Sequence, residues 1–526
     1  MIRFPLFAFA AGAALIAGPA VAASAHGGPQ YQNPVGAADY PDPSVIRVGA
    51  DYWATATSSE WAPHFPLLHS RDLVNWEVRG HVFATMPAWA KSNFWAPEIA
   101  ADRGRYFIYY TAREAASNRL AVAVASADHP AGPYTDHGPL VAQEAGSIDA
   151  VPFTDAEGVR WLLWKEDGNS RKLPTPIWIQ RLRADGIALE GERREILRND
   201  AKWEGAVVEG AFVVRRGEYY YLFYSGGACC GRGCDYALGV ARAKHLLGPW
   251  EKCPANPILA GNAAWRCPGH GSIVADAEGR QWLLYHSYAA QGFVATGRQM
   301  LLDEVVFGAD GWPTINQGRG PSVRALAPAV AQPQRDGTRL REEFDGAGPL
   351  AAGWHWPIGR KPGATVTGGA LTLTVEEGPA AVVRSIAVPS FVAETVIEVR
   401  EFTPGSEGGL AVYGDRSNLL TLVTDGKKIQ VWSQRRGERT LVAEAPASAG
   451  PTIGLRLAGI DGQRFRFAAR GADGAWTEIA AETDGSFLPP WDRGVRVGLI
   501  AAGPKGTACT FAYFASTPDD GKLFAR

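Results

Sequence analysis

Five polar side chains, each at the head of a short apolar run, are the residues of this chain best placed to do chemistry. They are Asp42 in Tyr40-Pro41-Asp42-Pro43-Ser44, Glu98 in Trp95-Ala96-Pro97-Glu98-Ile99, Asp149 in Ser147-Ile148-Asp149-Ala150-Val151, Glu209 in Val208-Glu209-Gly210-Ala211-Phe212, and His270 in Gly269-His270-Gly271-Ser272-Ile273. Successive members stand 56, 51, 60 and 61 residues apart. A pair of carboxyl groups suits hydrolysis of a glycosidic bond: one, protonated, assists the leaving oxygen, and the other, ionised, activates water. A third carboxylate nearby penalises ionisation of the acid and keeps its proton in place. Singly, each residue has a plainer reading. Asp42 between two prolines suits a turn, Asp149 a turn cap, and Glu209 a surface charge. Recurrence at matching places argues for a shared site instead.

The elements that must position these groups follow from what surrounds them. After most of the five comes an apolar run, a Gly-containing turn, and an aromatic-rich run ending in a small polar residue. Phe212-Val213-Val214-Arg215-Arg216-Gly217-Glu218 followed by Tyr219-Tyr220-Tyr221-Leu222-Phe223-Tyr224-Ser225 is one copy, and Ile273 to Ser287 is another. Each copy reads as a β-hairpin. Repeats of this length built from short strands predict propeller blades, five in number, whose innermost strands line one axis. Five side chains at the same place in each blade then converge on one cavity.

Residues 1–25 read as a secretory signal peptide. Met1-Ile2-Arg3 carries a positive charge, Phe4 to Val21 is apolar, and Ala20-Val21-Ala22 or Ala23-Ser24-Ala25 offers a cleavage site. The Pro19-Ala20 break and the missing stop-transfer flank argue against an anchor, so the mature chain is expected to be periplasmic or secreted, with no membrane partner after cleavage. Lys+Arg 52 against Asp+Glu 54 leaves a net charge of −2, which favours no polyanion and excludes nucleic acid as the expected partner. Six cysteines permit disulfides in an exported chain. Cys253–Cys267 is the expected bridge. Cys229, Cys230 and Cys234 crowd one loop, where Cys230–Cys234, Cys229–Cys234 or the adjacent pair is open, and Cys509 is expected to be a buried thiol.

The repeats occupy residues 26–325, and an Ala/Pro/Gln-rich stretch at 326–339 reads as a linker. From 340 to 526, segments such as Ala370-Leu371-Thr372-Leu373-Thr374 and Val495-Arg496-Val497-Gly498-Leu499 alternate with period two, with turns such as Asp425-Gly426. That pattern predicts an antiparallel β-sandwich. The fold class is therefore all-β, a five-bladed β-propeller followed by a sandwich. Trp354 and Trp356 in the second domain are read as packing residues in preference to sugar platforms.

Pro41-Asp42-Pro43-Ser44, Trp95-Ala96-Pro97-Glu98, Ser147-Ile148-Asp149, Val208-Glu209-Gly210, Gly269-His270-Gly271-Ser272 and Gly297-Arg298, in this order, resemble the family 43 glycoside hydrolases over residues 33 to 325. The downstream part, with Glu343-Phe344-Asp345 and Gly353-Trp354-His355-Trp356, is similar to the concanavalin-like domain of β-xylosidases in that family. The resemblance implies an inverting mechanism with Asp42 as base, Glu209 as acid and Asp149 raising the acid's pKa, base and acid standing about 6.5 to 9.5 Å apart. It implies that Arg298 contacts sugar hydroxyls, Trp95 and Phe65 wall the subsite, and Glu98 selects the substrate. It places His270 facing a calcium or sodium ion through water, with no organic cofactor. The implied substrate is a plant cell-wall polysaccharide or oligosaccharide, cut from its end to release L-arabinofuranose or D-xylose. Ala150 and Ala211 stand where the family's β-xylosidases carry Pro, and the Cys229-Cys230 loop resembles arabinan-cleaving relatives. Endo-arabinanase, exo-β-galactosidase and a non-catalytic carbohydrate-binding propeller are the alternatives.

Overall fold

Each repeat folds as a hairpin because its two apolar runs are separated by a turn that only a few residues satisfy. Arg216 pairs with Tyr219 across a two-residue loop whose Gly217 has φ +59°, the positive value that tight hairpins favour. The computed structural model describes residues 28–521 except 293, 401, 472 and 473; the expected signal peptide lies outside the described residues.

Five four-stranded antiparallel sheets follow one another along the chain. Blade 1 is Ser44–Val48, Asp51–Thr55, His64–Ser70 and Glu77–Phe83, and blade 2 is Ala90–Asp102, Arg105–Glu114, Leu120–Ala127 and Thr135–Val141. Blade 3 is Ser147–Thr154, Arg160–Glu166, Ile177–Leu182 and Leu189–Leu197; blade 4 is Val208–Arg216, Tyr219–Gly226, Ala237–Ala243 and Glu251–Lys252. Blade 5 is Trp265–Ala275, Gln281–Ala289, Gln299–Phe307 and Pro313–Ile315. The first strand of each blade touches that of the next, and blade 5's touches blade 1's, so the ring is closed. Closure is reinforced by Gln30–Gln32 pairing with Arg324–Leu326. Apolar clusters fill the spaces between blades, for example Ile108, Tyr110, Phe94 and Phe65 between blades 1 and 2.

The segment after Leu326 is strapped along the outside of the ring. The backbone N–H groups of Ala329, Gln332 and Arg335 donate to Asp276 (3.1 Å), Asp72 (3.1 Å) and Asn75 (2.8 Å). The second domain is two packed antiparallel sheets. Leu373, Val382, Leu410, Leu455, Phe467 and Phe511 lie in the core between them. Its Asp425-Gly426 turn is held by Asp425 Oδ1, which accepts from the N–H groups of Lys427 and Lys428. Trp354 is 1% exposed against Phe344 and Phe514, which is packing. The domains meet where Trp356–Pro357 pairs with Trp61–Ala62.

The expected Cys253–Cys267 bridge is not formed, and of the alternatives open for the Cys229-Cys230-Cys234 loop the adjacent pair is the one found. Cys267 bonds Cys234, and Cys229 bonds Cys230. Cys267 sits on the inner strand of blade 5 facing the 229–236 loop, whereas Cys253 is buried in the apolar cluster between blades 4 and 5 and stays a free thiol. Cys509 is a buried free thiol as expected.

Candidate active site

The inner strands do not run straight past the axis. Four of them break register at the site residues, between Trp95 and Glu98, Ile148 and Val151, Glu209 and Phe212, and Gly269 and Gly271. At each break one residue has positive φ: Ala96 (+40°), Asp149 (+58°), Gly210 (+58°) and His270 (+39°); Asp42 (+53°) does the same just before the first strand. A bulge of this kind re-aims a side chain, here toward the axis, at the cost of backbone strain on Asp42, Asp149 and His270.

What holds these bulges is the residue at the end of the second strand of the preceding blade. Thr111 Oγ1 accepts from the N–H of Asp149 (3.2 Å), and Ser225 Oγ from that of His270 (2.9 Å). Thr57 Oγ1, just past its strand, accepts from Ala96 N–H (2.7 Å) and donates to Asp42 Oδ2 (2.6 Å). In two blades the hydroxyl is replaced. His286 Nδ1 accepts from the N–H of Asp42 (3.0 Å), and Lys165 Nζ donates to Glu209 Oε2 (2.7 Å).

Asp42, Asp149 and Glu209 are all buried and share one cavity. His270 Nδ1 lies 3.4 Å from Asp42 Oδ1 and 3.9 Å from Asp149 Oδ2. Gly210, next to Glu209, donates its N–H to Asp149 Oδ2 (3.2 Å). Gly210 is required there: a Cβ would stand 2.7 Å from the His270 ring. Tyr236 donates to the other oxygen of Glu209 (2.9 Å), and Arg298 donates to Asp42 Oδ1 (2.9 Å).

The three carboxyls are held in different states. Burial pushes Asp42 upward, but Arg298, then His270 and His286, overcome it and hold Asp42 well below the usual carboxylate range. Asp149 is raised to about 7 by burial, an effect His270 opposes and the Glu209 charge reinforces. Burial would raise Glu209 too, yet the adjacent Lys165 ammonium keeps it low. The Asp149–Glu209 pair therefore keeps one proton to near neutral pH. The adjacent Lys165, 2% exposed, favours the ionised form of Glu209, while Asp149 opposes it. Glu98, half-buried on blade 2, is raised to about 8 by burial, moderated by the Ser44 hydroxyl. It makes no hydrogen bond or ion pair with the other three carboxyls among the described residues.

Arg298 is paired to Asp42 and also donates to the backbone carbonyl of Asp492 in the sandwich (3.0 Å); its buried Nε has no partner. Trp95 stands at the mouth, 5.9 Å from Trp491 in an edge-to-face contact, with its Nε1 donating to Ser59 (3.3 Å). Ser59 donates in turn to the Asp492 carboxylate. Trp491 is 61% exposed, so the sandwich supplies part of the rim. Phe65 does not wall the cavity. It is 0% exposed and packed on Phe94 and Tyr110 between blades, so that expectation is corrected. No three His, Cys, Asp or Glu side chains among the described residues converge as metal ligands.

Residues 31–313 match the glycosyl hydrolases family 43, and residues 346–517 match the beta xylosidase C-terminal concanavalin A-like domain. The chain belongs to family 43. It is 28% identical to a xylosidase/arabinosidase of Humicola insolens, with 83% of each chain covered. It is 27% identical to a xylan 1,3-beta-xylosidase of a Vibrio species, covering 73% of this chain and 77% of that one. Its fold superposes on the GH43 BlXynB protein of Bacillus licheniformis with a TM-score of 0.82 at 26% identity, covering 93% of this chain and 100% of that one. As a family 43 member the protein is a glycoside hydrolase of propeller-plus-sandwich build. Sequence reasoning missed Lys165, Tyr236, His286 and the Trp491-Asp492 segment. The first and third were signalled only by a charged or ionisable residue closing an apolar strand.

Proposed function

We propose that this protein is an exported, inverting exo-glycosidase that removes α-L-arabinofuranosyl or β-D-xylosyl residues from hemicellulose-derived glycans. The observation that carries the reading is the convergence of three buried carboxyls around His270, with Arg298 donating to Asp42 and Lys165 to Glu209. Asp42 takes a proton from a water that forms the new bond to the anomeric carbon. Glu209 gives its proton to the glycosidic oxygen as the old bond breaks. Asp149, beside Glu209, penalises ionisation of the acid and helps the pair keep that proton. The unpartnered Nε of Arg298 is positioned for a sugar hydroxyl, and the neutral carboxyl of Glu98 is able to donate to another.

The rim supplied by Trp491 and Asp492 supports end-on over mid-chain cleavage, because it closes one side of the mouth. Relatives named for xylosidase and arabinosidase activity support the two sugars. Two disulfides suit an oxidising compartment and the signal-like N-terminus. A hydrated calcium or sodium ion opposite His270 is part of the same proposal. Rates on nitrophenyl α-L-arabinofuranoside and β-D-xyloside, with proton NMR of the first-formed anomer, test it. Retention of configuration, or undiminished turnover by Glu209→Gln, overturns the assignment.

A further inference from the structure

A second cleft, of about 670 Å³, opens on the seam between the propeller and the sandwich. Four cations line it. Lys91 comes from the inner strand of blade 2, Arg416 and Arg436 from two hairpin turns of the sandwich, and Arg493 from the segment that follows Trp491. Several exposed cations elsewhere on the sandwich are matched to carboxylates, among them Arg435 to Asp484, Arg439 to Glu407 and Lys428 to Glu444. Lys91, Arg416 and Arg436 have no ion-pair partner among the described residues.

Arg493 adds an independent sign of a missing ligand. Its side chain is 11% exposed, one terminal nitrogen donates to Asp492 (2.6 Å), and its Nε is buried with no partner. The two acids on the wall, Glu60 and Asp415, are outnumbered by the four cations. Glu60 accepts the N–H of Asn93 (2.9 Å), and Asp415 accepts from Ser417 N–H and the Asn418 amide. Burial raises the Glu60 carboxyl, an effect that the Arg493 and Arg416 charges oppose. Unpaired guanidinium groups facing one cleft are suited to a carboxylate, which they bind through paired, charge-assisted hydrogen bonds.

The cleft borders two segments that reach the active site. Lys91 lies on the strand that carries Trp95, and Arg493 follows Asp492, whose carbonyl holds Arg298. A glycan with its end residue at Asp42 and Glu209 extends along this seam. We propose that the cleft is an accessory subsite for a carboxylate-bearing sugar, a uronic acid borne by the same glycan whose end is hydrolysed. The identity of that glycan rests on the glycosidase reading; the anion site does not.

The test is calorimetric titration of the full-length Glu209→Gln protein, in which turnover is blocked, with a xylo-oligosaccharide carrying a glucuronic acid and with the same oligosaccharide lacking it. The acidic ligand is expected to bind roughly tenfold more tightly at low salt. The preference is expected to fall below about twofold in 0.5 M NaCl and in the Lys91→Ala/Arg416→Ala/Arg436→Ala variant. That triple variant in the active background should hydrolyse a neutral aryl glycoside at the wild-type rate. Equal affinity for the two ligands, no binding of the acidic one, or a preference that survives the triple substitution overturns the proposal and leaves the catalytic reading standing. Tight, salt-sensitive binding without hydrolysis of either ligand by the unmutated protein sinks the catalytic reading and supports the subsite.

Discussion

Replacing Lys165 by Met removes the main group that favours the ionised form of Glu209. The ammonium lies 2.7 Å from Glu209 Oε2 and 3.0 Å from Asp167 Oδ1 and is 2% exposed. An opposite charge this close to a carboxylate lowers its pKa by about 1–3 units. With the lysine gone, burial and the Asp149 charge both resist ionisation of Glu209, and the pair should keep its last proton to higher pH. In the wild type that proton leaves near neutrality, since Asp149 is raised to about 7. The alkaline limb of kcat/KM on an aryl glycoside is therefore expected to start near pH 7 and to move up by about 1–3 units in Lys165→Met. Breaking a buried pair also costs about 3–5 kcal/mol, so the profile is read below the melting temperature of the variant, with Asp167→Asn as a control that keeps the Lys165–Glu209 contact. An alkaline limb that stays put, or moves down, in a folded Lys165→Met protein refutes the claim that Lys165 governs the proton of the acid pair.

Arg298→Met removes the main group that keeps Asp42 ionised, so the acidic limb of kcat/KM should rise toward neutrality; an unmoved limb means that the histidines suffice. Glu98 keeps its proton in the folded protein to about pH 8, so its contribution to stability is whole below about pH 4.5 and is lost as pH rises toward 8. Glu98→Gln should therefore gain about 2–4 kcal/mol relative to wild type between pH 5 and pH 8.5 in urea titrations, discounted because the side chain is half-buried; a constant difference across that range contradicts it. Cys234 and Cys267 close a 33-residue separation between blades 4 and 5. Their joint replacement by Ser should lower unfolding stability by about 3–4 kcal/mol, measured without reductant, and a change below about 1 kcal/mol would show that inter-blade packing already supplies the constraint. Trp491→Ala should raise KM on oligosaccharides by several-fold with little change in protein stability, since the ring is 61% exposed and touches Trp95 only at its edge; an unchanged KM removes the sandwich from substrate binding.

The circular fold was legible because every blade repeats the same physical requirement. An inner strand buried on both faces must be short and apolar, its hairpin must turn on a residue such as Gly217, and its partner strand must fill the space between blades with aromatics such as Tyr220 and Tyr224. Asp42, Asp149 and Glu209 stood out because each interrupts that apolar pattern at the same place. The bulges that aim them were not legible, since Asp149 and His270 adopt positive φ without the glycine that usually announces it, and only Gly210 carries the signal. Phe65 was misplaced for a related reason: an aromatic beside a site strand has the same local sequence whether its ring faces the cavity or the space between blades. Cys253 and Cys267 likewise lie close in sequence but belong to an edge strand's end and to an inner strand.

The small polar residue that ends each second strand had a use that no local pattern reveals. Thr111 and Ser225 serve the next blade's backbone, not their own, so the bond exists only once the ring has closed. Where a hydroxyl would only hold the bulge, Lys165 and His286 also set the charge of the carboxyl they face. In blade 3 the lysine acts on a shared proton: Asp149 and Glu209 resist double ionisation, and the adjacent Lys165 ammonium favours the ionised form of Glu209. The Trp491-Asp492 segment, more than 400 residues from Asp42 in sequence, lies where a bound sugar would have to pass.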